Sequence, residues 1–255
     1  MDAGMRQPNR WRRTLKRSPL IAGAVEQARR AMGLPNRLRG RRRRGRQIRE
    51  YLRGCSRPML NLGCGPNLLE GWLNTDISGR SGAVYLDATR AFPLPDACME
   101  RTYSEHLIEH LGYANARQCL AECFRVLRPG GRIRIATPDL ARLARLLDPD
   151  RRTSADEAYL RWFWQWQFAD LGPPEPAGVV NHFLRAWGHR FVFDRPSLER
   201  LLSESGFDQL RQYPPGQSDD EAFVDIEHHG QTLSDPCQAD WETMVIEARR
   251  PANSG

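Results

Sequence analysis

The stretch Met59-Leu60-Asn61-Leu62-Gly63-Cys64-Gly65-Pro66-Asn67 constrains this chain more than any other. An apolar run that stops at a glycine pair followed by Pro and Asn reads as a buried β-strand ending in a tight turn. Glycine at that point permits φ > 0 and lets a ligand approach backbone that a Cβ would cover. Two further short strands follow, Leu73-Asn74-Thr75-Asp76 and Ala83-Val84-Tyr85-Leu86-Asp87, and each ends in a carboxylate. A glycine turn with acidic residues at neighbouring strand ends is how a parallel α/β sheet holds a nucleoside, with backbone at the turn and carboxylate on the ribose hydroxyls. The third glycine of G-x-G-x-x-G would fall at Leu68, and no Gly-Lys-Ser/Thr loop occurs. Both facts argue against a dinucleotide pyrophosphate site or a P-loop.

Met99 to Leu111 reads as a strand running into a polar turn. Phe124 to Leu140 reads as a helix end, a break at Pro129-Gly130-Gly131 and another strand. With its segments in this order, the chain resembles the class I S-adenosylmethionine-dependent methyltransferases. Within them it resembles a group of small bacterial methyltransferases carrying N-L-G-C-G (Asn61–Gly65), G-W-x-N-x-D (Gly71–Asp76), S-E-H-x-x-E-H (Ser104–His110) and R-V-L-x-P-G-G (Arg125–Gly131). The likeness is close over residues 57–140 and looser to about 250. It implies an α/β, Rossmann-like fold: a seven-stranded, mostly parallel sheet with helices on both faces, plus a helical lid. It also implies S-adenosyl-L-methionine as cofactor. Carried over position by position, Asn61, Gly63, Cys64 and Gly65 would form the cofactor turn. Asp76 and Ile77 would flank the ribose, Asp87 and Ala88 would meet the adenine, and Ser104 and Glu105 would form the rim after the fourth strand. Asn61 stands where many relatives have Asp or Glu, which affects the contact to the methionine amino group.

Charge divides the chain. Residues 1–53 hold 17 of its 38 Lys and Arg and 3 of its 31 Asp and Glu, a surplus of +14, while the remainder totals −7. The first region, 1–54, therefore reads as a basic arm, partly disordered or helical. The methyltransferase domain would be 55–250, with an aromatic-rich lid insertion at 141–190. Within the arm, Arg41-Arg42-Arg43-Arg44-Gly45-Arg46 would be drawn nonspecifically to an anionic surface such as a membrane or nucleic acid. No aromatic residue interleaves with these arginines to stack on single strands. Pro19 to Met32 has apolar residues near helical spacing. Arg12-Arg13 followed by a short apolar run faintly resembles a twin-arginine export signal, but Glu26 interrupts the run. The expected location is the cytoplasm, where the cofactor is supplied, and the oligomeric state stays open. None of the six cysteines forms a C-x-x-C pair, so packed, reduced thiols are the simple reading.

Two patterns bear on chemistry. His106-Leu107-Ile108-Glu109-His110 fits the inverted zinc-peptidase spacing H-x-x-E-H, a rival reading as a metal hydrolase. The methyltransferase order of the preceding strands argues against that rival. In the methyltransferase reading His106 lies past the fourth strand, where ligands bind in such sheets, and is the first candidate base. His189 and His110 are the next candidates, and His228 sits in an exposed Asp225–His229 loop. In the insertion, Trp162, Phe163, Trp164, Trp166 and Phe168 should mostly form a small core of their own, with one or two facing substrate. The acceptor expected is a small molecule or carbohydrate, methylated on oxygen. A cofactor-binding scaffold without catalysis is the alternative.

Overall fold

The computed structural model of the chain describes residues 19–79, 82–229 and 236–252, with side chains from residue 36 onward in the first stretch and 237 in the last. Helix α1 (Pro19–Gly54) leads into strands β1 (Met59–Leu62), β2 (Leu73–Asp76), β3 (Val84–Tyr85) and β4 (Met99–Glu105). After β4 come a single turn at Ile108–His110, helix α2 (Tyr113–Val126) and strand β5 (Leu127–Pro138). The expected insertion carries α3 (Leu140–Arg145), α4 (Ser154–Phe168) and α5 (Pro176–Arg185). The chain closes with α6 (Arg195–Glu204), β6 (Asp208–Tyr213), α7 (Pro236–Glu242) and β7 (Thr243–Arg249).

All seven strands form one sheet in the order β3-β2-β1-β4-β5-β7-β6. β1 to β5 run parallel, and β7 is antiparallel to both β5 and β6. The order reverses between β1 and β4, so a crevice opens at their carboxyl ends, where open α/β sheets take ligands. Central strands are buried on both faces, with Leu60, Leu62, Ile133, Ile135 and Ile246 on one and Tyr103, Arg134 and Val245 on the other. Each such aliphatic side chain contributes roughly 1.5–3 kcal/mol by leaving water. Helix α2 covers one face with Ala116, Cys119, Leu120, Cys123 and Val126, so the two cysteines are packing groups.

Three features differ from the expectation. The Pro129-Gly130-Gly131 stretch does not break the chain: β5 runs through it as a bulge, with Gly130 at φ +79° donating from its N–H to the Arg250 carbonyl at 2.9 Å. The helix expected at Pro19–Met32 extends to Gly54. The domain boundary at 54/55 cuts a packed unit. Ile48 is buried in the main core, the Tyr51 hydroxyl donates to the Met59 and Gly71 carbonyl oxygens, and Gly40 sits against Tyr85 of β3. The last turns of the arm thus belong to the sheet edge rather than to a solvated extension. Arg12-Arg13 lies outside the described residues. No helix among the described residues is long and apolar enough to cross a membrane.

The insertion has its own core of Leu143, Leu146, Tyr159, Leu160, Phe163, Trp164, Val179, Val180, Phe183 and Val192. Helix α4 begins in a capping box made by Thr153 and Asp156, which satisfies two free amides at its start. Trp166 and Trp187 are more than a third exposed and stack 6.0 Å apart on the outer surface.

Candidate cofactor and active site

The β1 strand ends in a turn held by short polar links. Gly63 and Gly65 have φ of +63° and +52°, which a side chain would strain. A Cβ on Gly63 would lie 2.7 Å from Leu107 Cδ1, whereas one on Gly65 would meet nothing within 4 Å. Backbone at Gly65 therefore faces open space, as a cradle for a ligand requires. The Gly65 N–H donates to Asp76 Oδ2 at 3.3 Å, and Ser78 N–H to Asp76 Oδ1 at 2.6 Å, so the carboxylate at the end of β2 is aimed at the turn. Asn61 is buried, and its Nδ2 donates to the Asn67 carbonyl and to Asn74 Oδ1 at 3.1 and 2.9 Å. Its amide thus braces the turn from below. Burial first, and then the Asp76 charge, push the Cys64 thiol up to about 12, so it is a packed thiol and not a nucleophile.

A cleft of about 230 Å³ opens here, lined by Asn61, Gly63, Cys64, Asn67, Glu105 and Ile226 among others. Of the residues expected at the cofactor, Asn61, Gly63, Cys64 and Glu105 line this cleft, and Gly65 and Asp76 adjoin it through their hydrogen bond. Ile77 is exposed just beyond β2, and Ser104 is buried within β4. Asp87 lies on a second, wider cleft of about 510 Å³, next to Arg41 and Arg44 of α1. Its Oδ1 accepts from the N–H and hydroxyl of Thr89, two residues on, and the partly buried Ala88 lies between them.

Glu105 draws into the site residues that carry no motif. Glu105 accepts from Asn67 Nδ2 through Oε2, and from the N–H groups of His228 and His229 through Oε1 at 2.9 and 2.7 Å. This folds the Asp225–His229 loop over the cleft and makes Ile226 a wall. Arg134, fully buried on β5, anchors the same loop by a paired contact to Glu227 at 2.6 and 2.9 Å, and also bonds Glu247 at 2.6 Å. In the sequence, Arg134 is one of two arginines alternating with Ile133 and Ile135, and nothing there pairs it with Glu227.

The three candidate histidines do not converge. His106, at φ +46°, stacks on His229 with ring centroids 3.7 Å apart, while His110 packs against His189 at 5.0 Å. His106 and His110 therefore do not share the helical face that H-x-x-E-H metal binding needs, and the inverted zinc-peptidase geometry is absent. Glu109 links the pairs: its Oε1 is 3.2 Å from His106 Nδ1 and 4.0 Å from His110 Nε2. Burial would discharge the His106 ring, but Glu109 outweighs it and raises the pKa; the same pairing overcomes burial to lower that of Glu109. His106 Nε2 lies 3.3 Å from Thr243 Oγ1, whose hydroxyl donates to the Ala239 carbonyl, so both ring nitrogens face acceptors. As it stands, His106 is arranged as a held cation, which a proton acceptor is not. His189 Nδ1 donates to the Phe183 carbonyl at 2.7 Å, and burial lowers its pKa.

A parallel sheet with this strand order and a glycine turn at its switch point defines a nucleoside-binding α/β domain. Residues 60–135 match the family model described as "Methyltransferase domain". A stretch of 47 residues is 47% identical to a probable S-adenosylmethionine-dependent methyltransferase of Mycolicibacterium smegmatis, covering 18% of this chain and 18% of that protein. The chain thus matches less than a fifth of that relative. Among solved structures, a SAM-dependent methyltransferase from Archaeoglobus fulgidus is 18% identical over 84% of this chain and 94% of its own, with a TM-score of 0.46. A putative methyltransferase of Haloferax volcanii, solved with the Trm112 activator, is 11% identical over 90% and 96%, with a TM-score of 0.45. The family match thus spans residues 60–135, less than a third of the chain.

Proposed function

We propose that this chain is an S-adenosylmethionine-dependent methyltransferase acting on an oxygen of a small-molecule or carbohydrate acceptor. The observation that carries the cofactor half is the open glycine turn at Gly63–Gly65 facing the Asp76 carboxylate at the sheet's switch point. When bound, the cofactor supplies an electrophilic sulfonium methyl. Gly63, Cys64 and Gly65 would offer backbone to its chain, Asp76 would take ribose hydroxyls with Ile77 beside them, and Asp87 and Ala88 would flank the base. Ser104 and Glu105 form the rim, and Glu105 keeps the Ile226 wall closed against water.

An acceptor hydroxyl would enter between the end of β4 and the insertion, and positioning supplies much of the rate. For His106 to take the hydroxyl proton as the O–methyl bond forms, its Nε2 must first give its own proton to solvent and leave Thr243, so that the neutral ring offers a lone pair. Glu109 keeps the other proton on Nδ1 and so fixes the tautomer. The enzyme would work in the cytoplasm. The arginines of α1 add a nonspecific attraction to anionic surfaces.

The test is calorimetric titration of the purified chain with S-adenosylmethionine and S-adenosylhomocysteine. Saturable binding of both is expected, weakened about tenfold or more in Asp76→Asn, the scale of a lost charge-assisted hydrogen bond. Absence of binding by the folded chain would leave the scaffold reading instead. A labelled-methyl transfer screen over hydroxylated acceptors then tests the acceptor class, with His106→Ala expected to abolish turnover while cofactor affinity holds.

A further inference from the structure

Glu109, His110 and His189 each present one ligand atom within 4.8 Å of the other two. Methyl transfer as described above uses neither His110 nor His189. We propose that these three side chains bind a divalent transition-metal ion of the zinc class, which ties the exit of the helical insertion to the turn after β4.

The backbone has already brought the two segments together. The N–H groups of Arg190 and Phe191 both donate to the Glu109 carbonyl, at 2.8 and 3.2 Å. Gly188, at φ +82°, lets the chain turn closely there, and a Cβ at that position would sit 3.9 Å from His110 Nδ1. Each ligand is also prepared chemically. His189 Nδ1 donates to the Phe183 carbonyl, which can only accept, so the proton is on Nδ1 and Nε2 keeps a lone pair. That is the outer-sphere arrangement typical of metal-bound histidine. The Glu109 side chain is fully buried, its Oε2 accepts from Thr137 at 3.1 Å, and its Oε1 has no well-aligned donor. The nearest group to Oε1, His106 Nδ1 at 3.2 Å, leaves that oxygen a second lone pair on the side of His110.

The His110 and His189 rings are tilted by 60°, with centroids 5.0 Å apart, so they are not stacked face to face. Ligand separations would need to contract to about 3.4 Å, the edge of a tetrahedron with zinc bonds of about 2.1 Å. From the present 4.0 Å between Glu109 Oε1 and His110 Nε2 that is a small rotation of a half-exposed ring. Two imidazoles and one carboxylate leave a coordination position for water or a ligand oxygen. His106, His229 and Glu242 form a neighbouring group of the same composition. There, however, the two rings lie face to face at 21°, so their nitrogens point side by side rather than at one centre.

The test uses the full-length, tag-free chain, stripped with a chelator and titrated with zinc ion alone by calorimetry. Cobalt(II) substitution, read by visible absorption, reports the ligand set. One zinc per chain is expected. Affinity should fall about 100-fold or more in His110→Ala and in His189→Gln, since even a ligand's outer partner is worth about 10–100-fold. His189→Gln keeps an amide donor for Phe183, and circular dichroism confirms that each variant is folded. His229→Ala should bind zinc like the parent. Three results would overturn the site: no saturable binding by the folded parent chain, binding unchanged in both ligand variants, or loss only in His229→Ala. No methyl transfer enters this readout, so its failure is separable from failure of the proposed activity.

Discussion

The turn from Asn61 to Asp76 and the insertion from Leu140 to Val192 both bury polar groups, but they satisfy them over different distances. In the turn, Asn61 reaches Asn74 and Gly65 reaches Asp76, links between residues thirteen and eleven positions apart. In the insertion, the Tyr159 hydroxyl donates to Glu242 at 2.6 Å and the Tyr159 ring stacks on Trp241 at 3.8 Å, both from the far end of the chain. A site built from local links leaves a motif, whereas one built from distant links leaves only composition. The loop over the cleft follows the second rule, because Arg134 on β5 must find Glu227 more than ninety positions later.

The largest effect is therefore expected where a distant link closes a local site. Replacing Arg134 by Met leaves Glu227 and Glu247 buried with no counter-charge, at a cost of about 3–5 kcal/mol in urea unfolding. Adding Glu227→Gln and Glu247→Gln to that variant should restore part of the loss, and no restoration would mean that shape and not charge was lost. Phe163→Ala comes next, at about 3–5 kcal/mol for a fully buried aromatic. If the insertion core is independent of the turn, cofactor affinity in Phe163→Ala should stay within about twofold of the parent, about 0.4 kcal/mol, the margin within which distant sites add. A parallel collapse of binding would show the two regions to be one cooperative unit.

Gly63→Ala sharpens the contrast from the other side. Its φ of +63° and the contact to Leu107 predict a stability loss of about 1–3 kcal/mol, with cofactor affinity falling by more than stability does. Unchanged affinity in a folded Gly63→Ala protein would move the cofactor away from the turn.

How much of this was legible in the sequence follows the same division. The glycine turn and the acids that end β2 and follow β3 could be read because periodicity and turn chemistry act within a few residues, whereas the seven-stranded sheet and Glu105 followed only from the resemblance. Asn61 was legible as part of the turn, but its buried amide pair with Asn74 was not, since two asparagines thirteen apart carry no periodic signal. The arm was read as solvated because charge dominated its composition. Yet Ile48 and Tyr51 help to dock its last turns on the sheet. In the sequence the histidines stand only as ranked candidate bases, with His106 first for its place after β4. The structure separates them because the residue after β4 adopts a left-handed backbone, which turns His106 toward His229 and away from His110.

The mildest perturbation needs no substitution. Asp156 is fully buried at the start of α4, and burial alone would raise its pKa. Arg145 outweighs that from α3 with contacts of 2.7 Å to each carboxylate oxygen; the Thr153 N–H at 2.7 Å and Trp241 Nε1 at 3.0 Å add to it. The folded pKa is therefore depressed well below that of the unfolded chain. A depressed carboxylate contributes stability that is complete above its unfolded pKa, near 4, and is lost as pH falls toward the folded value. Lowering the pH below about 4 should therefore weaken the insertion, while no such change is expected from this group between pH 6 and 8. Tryptophan emission reports the insertion directly, since Trp162, Trp164, Trp166, Trp187 and Trp241 all lie in or against it. Its acid midpoint should precede that of far-ultraviolet circular dichroism, which follows the sheet and its helices. In Asp156→Asn the emission should already be shifted at neutral pH and its acid dependence flattened. Coincident midpoints in the parent chain would mean that the Arg145–Asp156 pair holds the whole domain and not the insertion alone.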